Sequence, residues 1–261
     1  MTRIIAVANE KGGVAKTTTA VSLGGALVEM EKDVLLVDLD PQANLSLALG
    51  FPPHKIRRSI ADVLLNSAAP LSISKETSIP GLDVLPSNAE MGMAERFLPI
   101  RQNYQHILRN ALRSIQLYDF VILDCPPSMG AITQNALIAA DLLIIPTQAE
   151  YLSAYALRHV MSTIRSVRQE DNPNLMYRIL ITMLDKRIGS HKALRAQLHN
   201  AFGKAMFETV IQIDSKLRES TIAGLPITHY VPRSRSAQQY RALAQELTQN
   251  VKTETIKQPA K

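Results

Sequence analysis

The chain has 261 residues, 46% of them hydrophobic, which suits one large α/β domain with a substantial core. Its one cysteine, Cys125, excludes an intrachain disulfide and favours a reducing compartment. No run approaches about 18 uninterrupted apolar residues, and no cationic-then-apolar leader precedes the first strand. We therefore expect a cytoplasmic protein.

The net charge of +6 is unevenly distributed along the chain. Residues 1–150 carry 12 Lys and Arg against 15 Asp and Glu, whereas residues 151–261 carry 17 against 8. This asymmetry favours a polyanion-binding face built mainly from the C-terminal part. A well-solvated surface of basic helices explains the same charge equally well, so charge alone leaves both interpretations open.

The first elements of the chain are a strand, a glycine-containing turn and a helix. Residues 3–8 have an apolar strand pattern, the turn lies within residues 10–18, and a helix is predicted over residues 17–30. In this context the N–H groups of the turn and the positive end of the helix dipole converge on anionic oxygens. Lys16 can reach the β- and γ-phosphates of a nucleotide, and the hydroxyl of Thr17 can ligate magnesium.

The turn departs from the strict phosphate-loop pattern, Gly-x-x-x-x-Gly-Lys-[Ser/Thr], because Glu10 and Ala15 stand where that pattern has glycines. A second lysine, Lys11, lies near the start of the loop. The segment resembles the deviant Walker A motif of the ParA/MinD family of ATPases. A left-handed backbone at an alanine costs about 1 kcal/mol, so we expect a negative φ at Ala15.

The resemblance implies ATP and Mg2+ as cofactors and catalytic roles for both lysines. Lys11 would cross a dimer interface to the nucleotide on the partner subunit, and Lys16 would bind the phosphates in its own subunit. The alternative is a glycine turn with two surface lysines. The loop residues implied to contact the nucleotide are Gly12, Gly13, Val14, Ala15, Lys16, Thr17 and Thr18.

A second buried strand, over residues 34–37, ends in two aspartates, Asp38 and Asp40. Ligands of open α/β sheets gather beyond the carboxyl ends of the strands, so both aspartates are expected at the same phosphate site. The Asp-x-Asp-Pro-Gln segment also resembles the first switch of the family. That likeness implies that Asp40 positions or polarises the attacking water and that Asp38 lies near the magnesium. The alternative is an Asp-Pro turn opener.

Residues 44–101 contain several prolines, and their sequence predicts secondary structure but no catalytic group. We expect a short helix over residues 60–65 and a strand over residues 82–85. A further helix is predicted to begin at Ser87, which would cap it, with Glu90 at the capping-box position.

The third motif is a buried strand that ends at Asp124. This aspartate fits a Walker B carboxylate that holds magnesium through a water, and the Asp-x-Pro-Pro ending resembles the second switch of the family. Cys125 lies beside it without a nearby His partner, so we interpret it as a small buried filler.

The remaining apolar patterns continue the alternation of strands and helices. Strands are predicted over residues 141–146, 179–183 and 209–211, and helices over residues 152–167, 191–202 and 237–250. Such alternation specifies an α/β fold, a doubly wound, mostly parallel sheet with helices on both faces, of the P-loop NTPase type. We expect one domain over residues 1–250 and a polar, disordered tail over residues 251–261.

The resemblance to the family also implies that the C-terminal half of the chain binds the base of the nucleotide. The loop that contains Pro232 resembles the adenine-side loop of the family, with Thr182 and Met183 as further lining residues. A proline-containing loop that caps the last helix is an equal alternative.

Members of the family differ in whether the dimer binds a membrane or DNA. MinD-type members end in an amphipathic helix that lies in the membrane, but the tail of this chain has no apolar face and Pro259 disfavours a helix there. ParA-type members bind DNA non-specifically through basic residues late in the chain. The candidate DNA contacts are Lys186, Arg187, Lys216, Arg218, Arg233 and Arg235.

The sequence thus predicts an ATP-dependent switch that dimerises, binds DNA non-specifically and positions or segregates a cargo. The cargo would be a plasmid, a chromosome or another large intracellular body, and hydrolysis would be slow. The expected partners are a second copy of the chain in the ATP state, DNA, and a ParB-like or cargo-bound adaptor that stimulates hydrolysis. The protein is expected to associate with the nucleoid. The alternatives are a MinD-like membrane-cycling regulator and a metabolic P-loop enzyme.

Overall fold

The computed structural model describes residues 2–252, and for residues 151–156 and 250–252 it describes the backbone alone. In these residues one sheet contains eight strands, and eleven α-helices surround it. The part of the predicted polar tail from residue 253 onward lies outside the described residues. No helix in the described part of the chain is long and apolar enough to cross a membrane.

The strands are β1 (Arg3–Val7), β2 (Val34–Asp38), β3 (Lys75–Glu76), β4 (Leu82–Leu85), β5 (Phe120–Asp124), β6 (Leu142–Gln148), β7 (Met176–Leu184) and β8 (Met206–Gln212). The helices are α1 (Lys16–Val28), α2 (Asn44–Ala48), α3 (Ile60–Asn66), α4 (Met91–Phe97), α5 (Ile107–Arg113), α6 (Ala131–Ala139), α7 (Tyr151–Glu170), α8 (Gly189–Phe202), α9 (Lys216–Ile222), α10 (Ile227–Tyr230) and α11 (Arg235–Lys252).

The strand order is β3-β4-β2-β5-β1-β6-β7-β8, and every pair is parallel except the antiparallel pair β3–β4. The central strands are buried along their whole length because helices cover both faces. Alternate residues of β1 therefore enter different cores. Ile4 and Ala6 pack with α3 to α7, while Ile5 and Val7 pack with α1 and α11. The predicted doubly wound, mostly parallel sheet is confirmed.

The register of the central strands brings three chain segments to one edge of the sheet. Val7, at the end of β1, is paired with Asp124 of β5, and Asp124 is paired in turn with Asp38 of β2. The glycine turn follows β1 directly, so it lies beside both aspartates. This edge is where the three motifs of the sequence meet.

The predicted helix cap at Ser87 is wrong. Helix α4 begins at Met91 without a side-chain cap, and the hydroxyl of Ser87 instead donates to the carbonyl of Asp40 at 2.8 Å. The capping box lies earlier, at α3. There Ser59 Oγ accepts from the Ala61 N–H and the Asp62 carboxylate accepts from the Ser59 N–H.

Six described elements were not predicted from the sequence: α2, β3, α5, α6, α9 and α10. Strand β3 has only two residues, and its pairing with the edge of the sheet depends on the tertiary fold rather than on a local pattern. Helix α6 is buried on nearly all sides, so its sequence lacks the polar face that gives a helical period.

The C-terminal helix is fastened to the edge of the sheet by a largely buried ion pair. Arg178 Nη2 of β7 lies 3.0 Å from Glu246 Oε1 of α11, and the same nitrogen donates to the Met206 carbonyl at 2.9 Å. The Glu246 carboxylate also accepts from the N–H groups of Glu208 and Thr209 in β8. This group of contacts joins α11, β7 and β8.

Candidate active site

The glycine turn between β1 and α1 has two residues with a left-handed backbone. Gly13 has φ 72°, and Ala15 has φ 66° and ψ 37°. The expectation of a negative φ at Ala15 is therefore wrong. The Ala15 carbonyl accepts the Thr19 N–H at 2.9 Å and so begins α1, which requires the chain to reverse sharply at this residue. The local cost of about 1 kcal/mol is offset by the surrounding contacts.

Side chains from three strand ends hold the turn in place. Asn9 donates to the Pro146 carbonyl at 2.7 Å and accepts from the Lys11 N–H at 3.0 Å. Buried Thr182 donates to the Val14 carbonyl at 3.0 Å, and Gln148 Nε2 donates to the Gly13 carbonyl at 3.3 Å. The predicted base-lining residue Thr182 thus contacts the turn itself. Asn9 and Gln148 were not identified from the sequence, because no motif marks them.

Lys16 lies at the start of α1 and is only 8% exposed. Its Nζ donates to the Lys11 carbonyl at 3.1 Å, across the concave side of the turn. Burial lowers the pKa of Lys16, and the negative charges of Asp124 and Asp40 oppose that shift. The turn therefore presents a cation together with main-chain N–H groups, the combination that binds phosphate.

The Thr17 hydroxyl donates to Asp124 Oδ2 at 2.6 Å. Asp124 is fully buried, and its other oxygen, Oδ1, has no hydrogen-bond partner among the described residues. Burial, reinforced by the nearby Asp38 carboxylate, raises the pKa of Asp124 well above its ordinary range. An unsatisfied carboxylate oxygen beside a threonine hydroxyl is a set of oxygen donors that fits Mg2+, whose charge would remove this repulsion.

Asp38 is fully buried, and its carboxylate accepts three hydrogen bonds. Oδ2 accepts from the N–H and the hydroxyl of Ser46 at 2.8 and 2.7 Å, and Oδ1 accepts from the Asp40 N–H at 3.2 Å. Burial raises the pKa of Asp38 to about 6, against these bonds. The Asp38 carboxylate thus holds the backbone N–H groups of Asp40 and Ser46 in place. The sequence did not indicate this role.

Asp40 lies on the wall of the adjoining cleft and is 8% exposed. Its Oδ1 accepts from the Gln42 N–H at 2.9 Å. The carboxylate therefore borders the space into which the phosphates of a bound nucleotide would extend.

The cleft has a volume of about 670 Å3 and runs from the turn to the segment after β8. Its phosphate end is lined by Gly12, Gly13, Ala15, Lys16, Thr17 and Thr18. Its far end is lined by Met183, Ile211, Gln212, Ile213 and Leu217. Buried Val14 lies behind the turn rather than on the cleft surface. The far end is apolar enough to accept a nucleotide base.

The structure brings Met183 to the cleft but not Pro232. Met183 has a left-handed backbone, with φ 52°, and its sulfur lies 3.0 Å from Gln148 Nε2. Pro232 lies outside the cleft lining, and its carbonyl accepts from Arg241. The role of Pro232 in the base site stays a prediction. Residues 211–213, at the end of the irregular β7–β8 pairing, line the far end of the cleft.

Lys11 is folded back over its own subunit. Its Nζ lies 2.7 Å from Glu150 Oε2 and 2.9 Å from Gln148 Oε1. Gln148 is the last residue of β6 and Glu150 follows it, so the ammonium of this lysine lies at the rim of the site rather than inside the turn.

The six candidate DNA contacts lie in three separate segments. Exposed Lys186 and Arg187 precede α8, Lys216 and Arg218 belong to α9, and Arg233 and Arg235 lie at the start of α11. Carboxylates neutralise two of them, since Arg187 pairs with Asp185 at 2.6 Å and Lys216 with Glu219 at 2.7 Å. Arg218 also lines the cleft, and Arg235 donates to the Ile213 carbonyl at 2.6 Å.

Comparison with known proteins assigns the family. A family model described as an AAA domain matches residues 2–177. The chain is 39% identical over 252 residues to the sporulation initiation inhibitor protein Soj of Bacillus subtilis, covering 96% of this chain and all of that protein. The chain belongs to the ParA/MinD family of ATPases. It is also 39% identical to the chromosome partitioning protein ParA of Myxococcus xanthus, covering 98% of this chain and 90% of that one.

A solved structure resembles this chain over nearly its whole length. A structure named cobyrinic acid a,c-diamide synthase, from Mycobacterium smegmatis with bound ATP analogue and magnesium, superposes with a TM-score of 0.88. It is 35% identical to this chain, and the match covers 98% of each.

Proposed function

We propose that this ParA/MinD-family chain is an ATPase that binds ATP and Mg2+ in the cleft between the glycine turn and residues 211–218. The observation that carries the proposal is the Thr17–Asp124 pair, with its unsatisfied buried oxygen, beside Lys16. The relation to a structure with bound ATP analogue and magnesium supports the choice of nucleotide and metal. Thr17 and Asp124 would hold the magnesium, with Asp38 close behind them.

The residues of the cleft have distinct parts in the proposed hydrolysis. The turn N–H groups and Lys16 bind the phosphates, and Asp40 orients the attacking water in line with the γ-phosphate. Magnesium, when bound, neutralises the charge that develops on the phosphate oxygens. The apolar far end, with Met183 and Ile211, accepts the base.

The proposed cycle requires two copies of the chain. In the ATP state Lys11 would leave Glu150 and reach the nucleotide on the partner subunit, so that ATP holds the homodimer together. A further cation at the γ-phosphate also stabilises the transition state. Hydrolysis, slow alone and faster with a ParB-like or cargo-bound adaptor, would release the two subunits.

The dimer is proposed to bind DNA without sequence preference and to position or segregate a cargo over the nucleoid. Two features support this: the basic balance of residues 151–261 and the relation to Soj and to a chromosome partitioning protein. Phosphate contacts made by lysines and arginines give binding that is independent of sequence and falls steeply with salt. The six candidate residues, in three segments, would contribute together.

Retention of unrelated duplex DNA in a gel shift tests this function. We expect retention with ATP at low salt, little with ADP, and loss of the ATP complex as salt rises. If the protein hydrolyses ATP but retains no DNA, the proposed ATPase activity stands and the proposed DNA binding is rejected. Lack of ATP binding would reject both.

A metabolic P-loop enzyme is the second candidate, and the synthase name of the M. smegmatis structure favours it. Such an enzyme needs an acceptor pocket next to Asp40. Another described cavity, of about 580 Å3, is lined by Thr2, Asp33 and Asp119, which precede β1, β2 and β5. It therefore lies at the opposite end of the sheet from Asp40 and does not provide the acceptor pocket that such an enzyme needs. ATP turnover that strictly requires a small-molecule acceptor would favour the enzyme.

A further inference from the structure

Two buried serines connect the aspartates of the first switch in a closed ring of hydrogen bonds. Asp38 accepts from the Ser46 hydroxyl at 2.7 Å, and the Ser46 hydroxyl accepts from the Ser87 N–H at 2.9 Å. The Ser87 hydroxyl donates to the Asp40 carbonyl at 2.8 Å, and the Asp40 N–H donates back to Asp38 at 3.2 Å. Ser46 and Ser87 are both fully buried.

The ring holds both main-chain polar groups of Asp40. The Asp40 N–H donates to Asp38, and the Asp40 carbonyl accepts from the Ser87 hydroxyl and, outside the ring, from the Ala43 N–H at 2.9 Å. These bonds orient both peptide groups that flank Asp40. The side chain is oriented from the same backbone, with Oδ1 accepting from the Gln42 N–H. The bonds from Asp38 and Ser87 come from fully buried residues, so they orient Asp40 from behind the cleft.

The two serines come from different parts of the chain. Ser46 belongs to α2, which follows the switch, whereas Ser87 follows β4, the neighbour of β2 in the sheet. Each hydroxyl has one donor hydrogen, and both are used within the ring. Ser87 thus connects the Asp40 backbone to the end of β4, and Ser46 connects Asp38 to α2 and to Ser87.

We propose that Ser46 and Ser87 are positioning residues for Asp40 in ATP hydrolysis, a role that rests on the proposed ATPase function. An in-line attack tolerates little displacement of the group that orients the water, and a shift of about 1 Å costs on the order of 100-fold in rate. Loss of the Ser87 hydroxyl removes one of the two hydrogen bonds to the Asp40 carbonyl and leaves only the bond from the Ala43 N–H. Nucleotide binding depends on the turn and Lys16, which the ring does not touch.

The test is a comparison of Ser87→Ala with Ser59→Ala. Ser59 is an equally buried serine whose hydroxyl contacts Asn88 and the Ala61 N–H but neither aspartate, so it controls for loss of stability alone. The affinity for ATP and Mg2+ is measured by calorimetry, and hydrolysis by single turnover of radiolabelled ATP. We expect Ser87→Ala to lower the rate constant about tenfold or more while the affinity changes less than about threefold. Ser59→Ala should change neither.

A double-mutant cycle decides whether Ser87 acts through Asp40. In an Asp40→Ala background, Ser87→Ala should lower the rate no further, because the group that it positions is already absent. Independent, multiplied losses would overturn the proposal, as would a rate for Ser87→Ala equal to that of the unaltered protein. If the unaltered protein does not turn over ATP, the proposed function fails instead, and the two failures are distinct.

A second variant covers the case in which Ser87→Ala is too unstable to purify. Ser46→Ala removes the hydroxyl that holds Asp38 and the Ser87 N–H but retains the Ser46 N–H bond to Asp38. We expect a smaller loss of rate, again with unchanged affinity. A loss of affinity in proportion to the loss of rate would indicate a merely structural role and overturn the proposal.

Discussion

The Lys11 ammonium lies 2.7 Å from the Glu150 carboxylate of the same subunit, at the rim of the candidate active site. The two side chains are 27% and 48% exposed. Exposed pairs of this kind contribute only about 0.2–1 kcal/mol, because water screens them and both side chains lose freedom. The ion pair therefore holds Lys11 only weakly. A triphosphate, which carries more negative charge than one carboxylate, can replace Glu150 as the partner of Lys11.

We predict that Lys11→Ala abolishes dimerisation in ATP while ATP binding to the single subunit persists. The reason is that Lys16 and the turn remain, whereas the cation proposed to bridge the subunits is gone. Size-exclusion chromatography with light scattering, with and without ATP, measures the change. Lys32→Ala is the matched control, since Lys32 is a surface lysine near Asp119, at the opposite end of the sheet from the turn. Dimerisation of Lys11→Ala equal to that of the control would refute the cross-subunit role.

We predict that Asp40→Ala forms a dimer in ATP that does not dissociate. The nucleotide contacts remain, but the group that orients the water is lost, which lowers hydrolysis by about 100-fold or more. The nucleotide content of the isolated dimer, analysed by chromatography over hours, should stay ATP. Asp62→Ala is the control, because it removes a carboxylate from the α3 capping box and leaves the cleft intact. Conversion of bound ATP to ADP in Asp40→Ala at the unaltered rate would exclude the proposed role.

The sequence predicted the parts of the site that lie on strand ends, because the period of buried strands and the topology of parallel sheets bring those ends together. Asp38, Asp40 and Asp124 meet for this reason. It did not predict contacts between distant loops. Ser87 looked like a helix cap from its neighbours but bonds to Asp40, 47 residues away. The sequence also did not indicate that residues 211–213 line the cleft, because the irregular β7–β8 register carries no local signal.

Ala15 shows the same limit in the backbone, since local preference favoured a negative φ and the turn imposes a positive one. We predict that Ala15→Gly stabilises the protein by up to about 0.5 kcal/mol. The substitution removes about 1 kcal/mol of left-handed strain, offset by about 0.5–1 kcal/mol from the greater freedom of glycine in the unfolded chain. Urea unfolding of the protein without nucleotide measures the difference.

The control for this prediction is Ala20→Gly, in the buried interior of α1. There glycine relieves no strain and lowers helix stability by about 1 kcal/mol. The two glycine substitutions should therefore have opposite signs. If both destabilise the protein, the turn does not hold Ala15 in the left-handed region in solution.

We predict that Glu246→Ala destabilises the protein by about 2–3 kcal/mol, because it leaves the guanidinium of Arg178 without its carboxylate in a largely buried position. It also leaves the N–H groups of Glu208 and Thr209 without their acceptor. The free energy of unfolding in urea measures the loss. Glu219→Ala is the control, since its pair with Lys216 is exposed and screened by water, so its loss should lower the free energy of unfolding much less than Glu246→Ala does.

The paired variant Arg178→Met with Glu246→Leu separates the ion pair from simple packing. Replacing both charges with apolar side chains removes the cost of burying them, so the pair should lose less stability than Glu246→Ala alone. The N–H groups of β8 remain unsatisfied in both cases, which sets a lower limit to the loss of about 1 kcal/mol. A paired variant less stable than the single one would mean that the salt bridge itself stabilises the joint between α11 and the sheet.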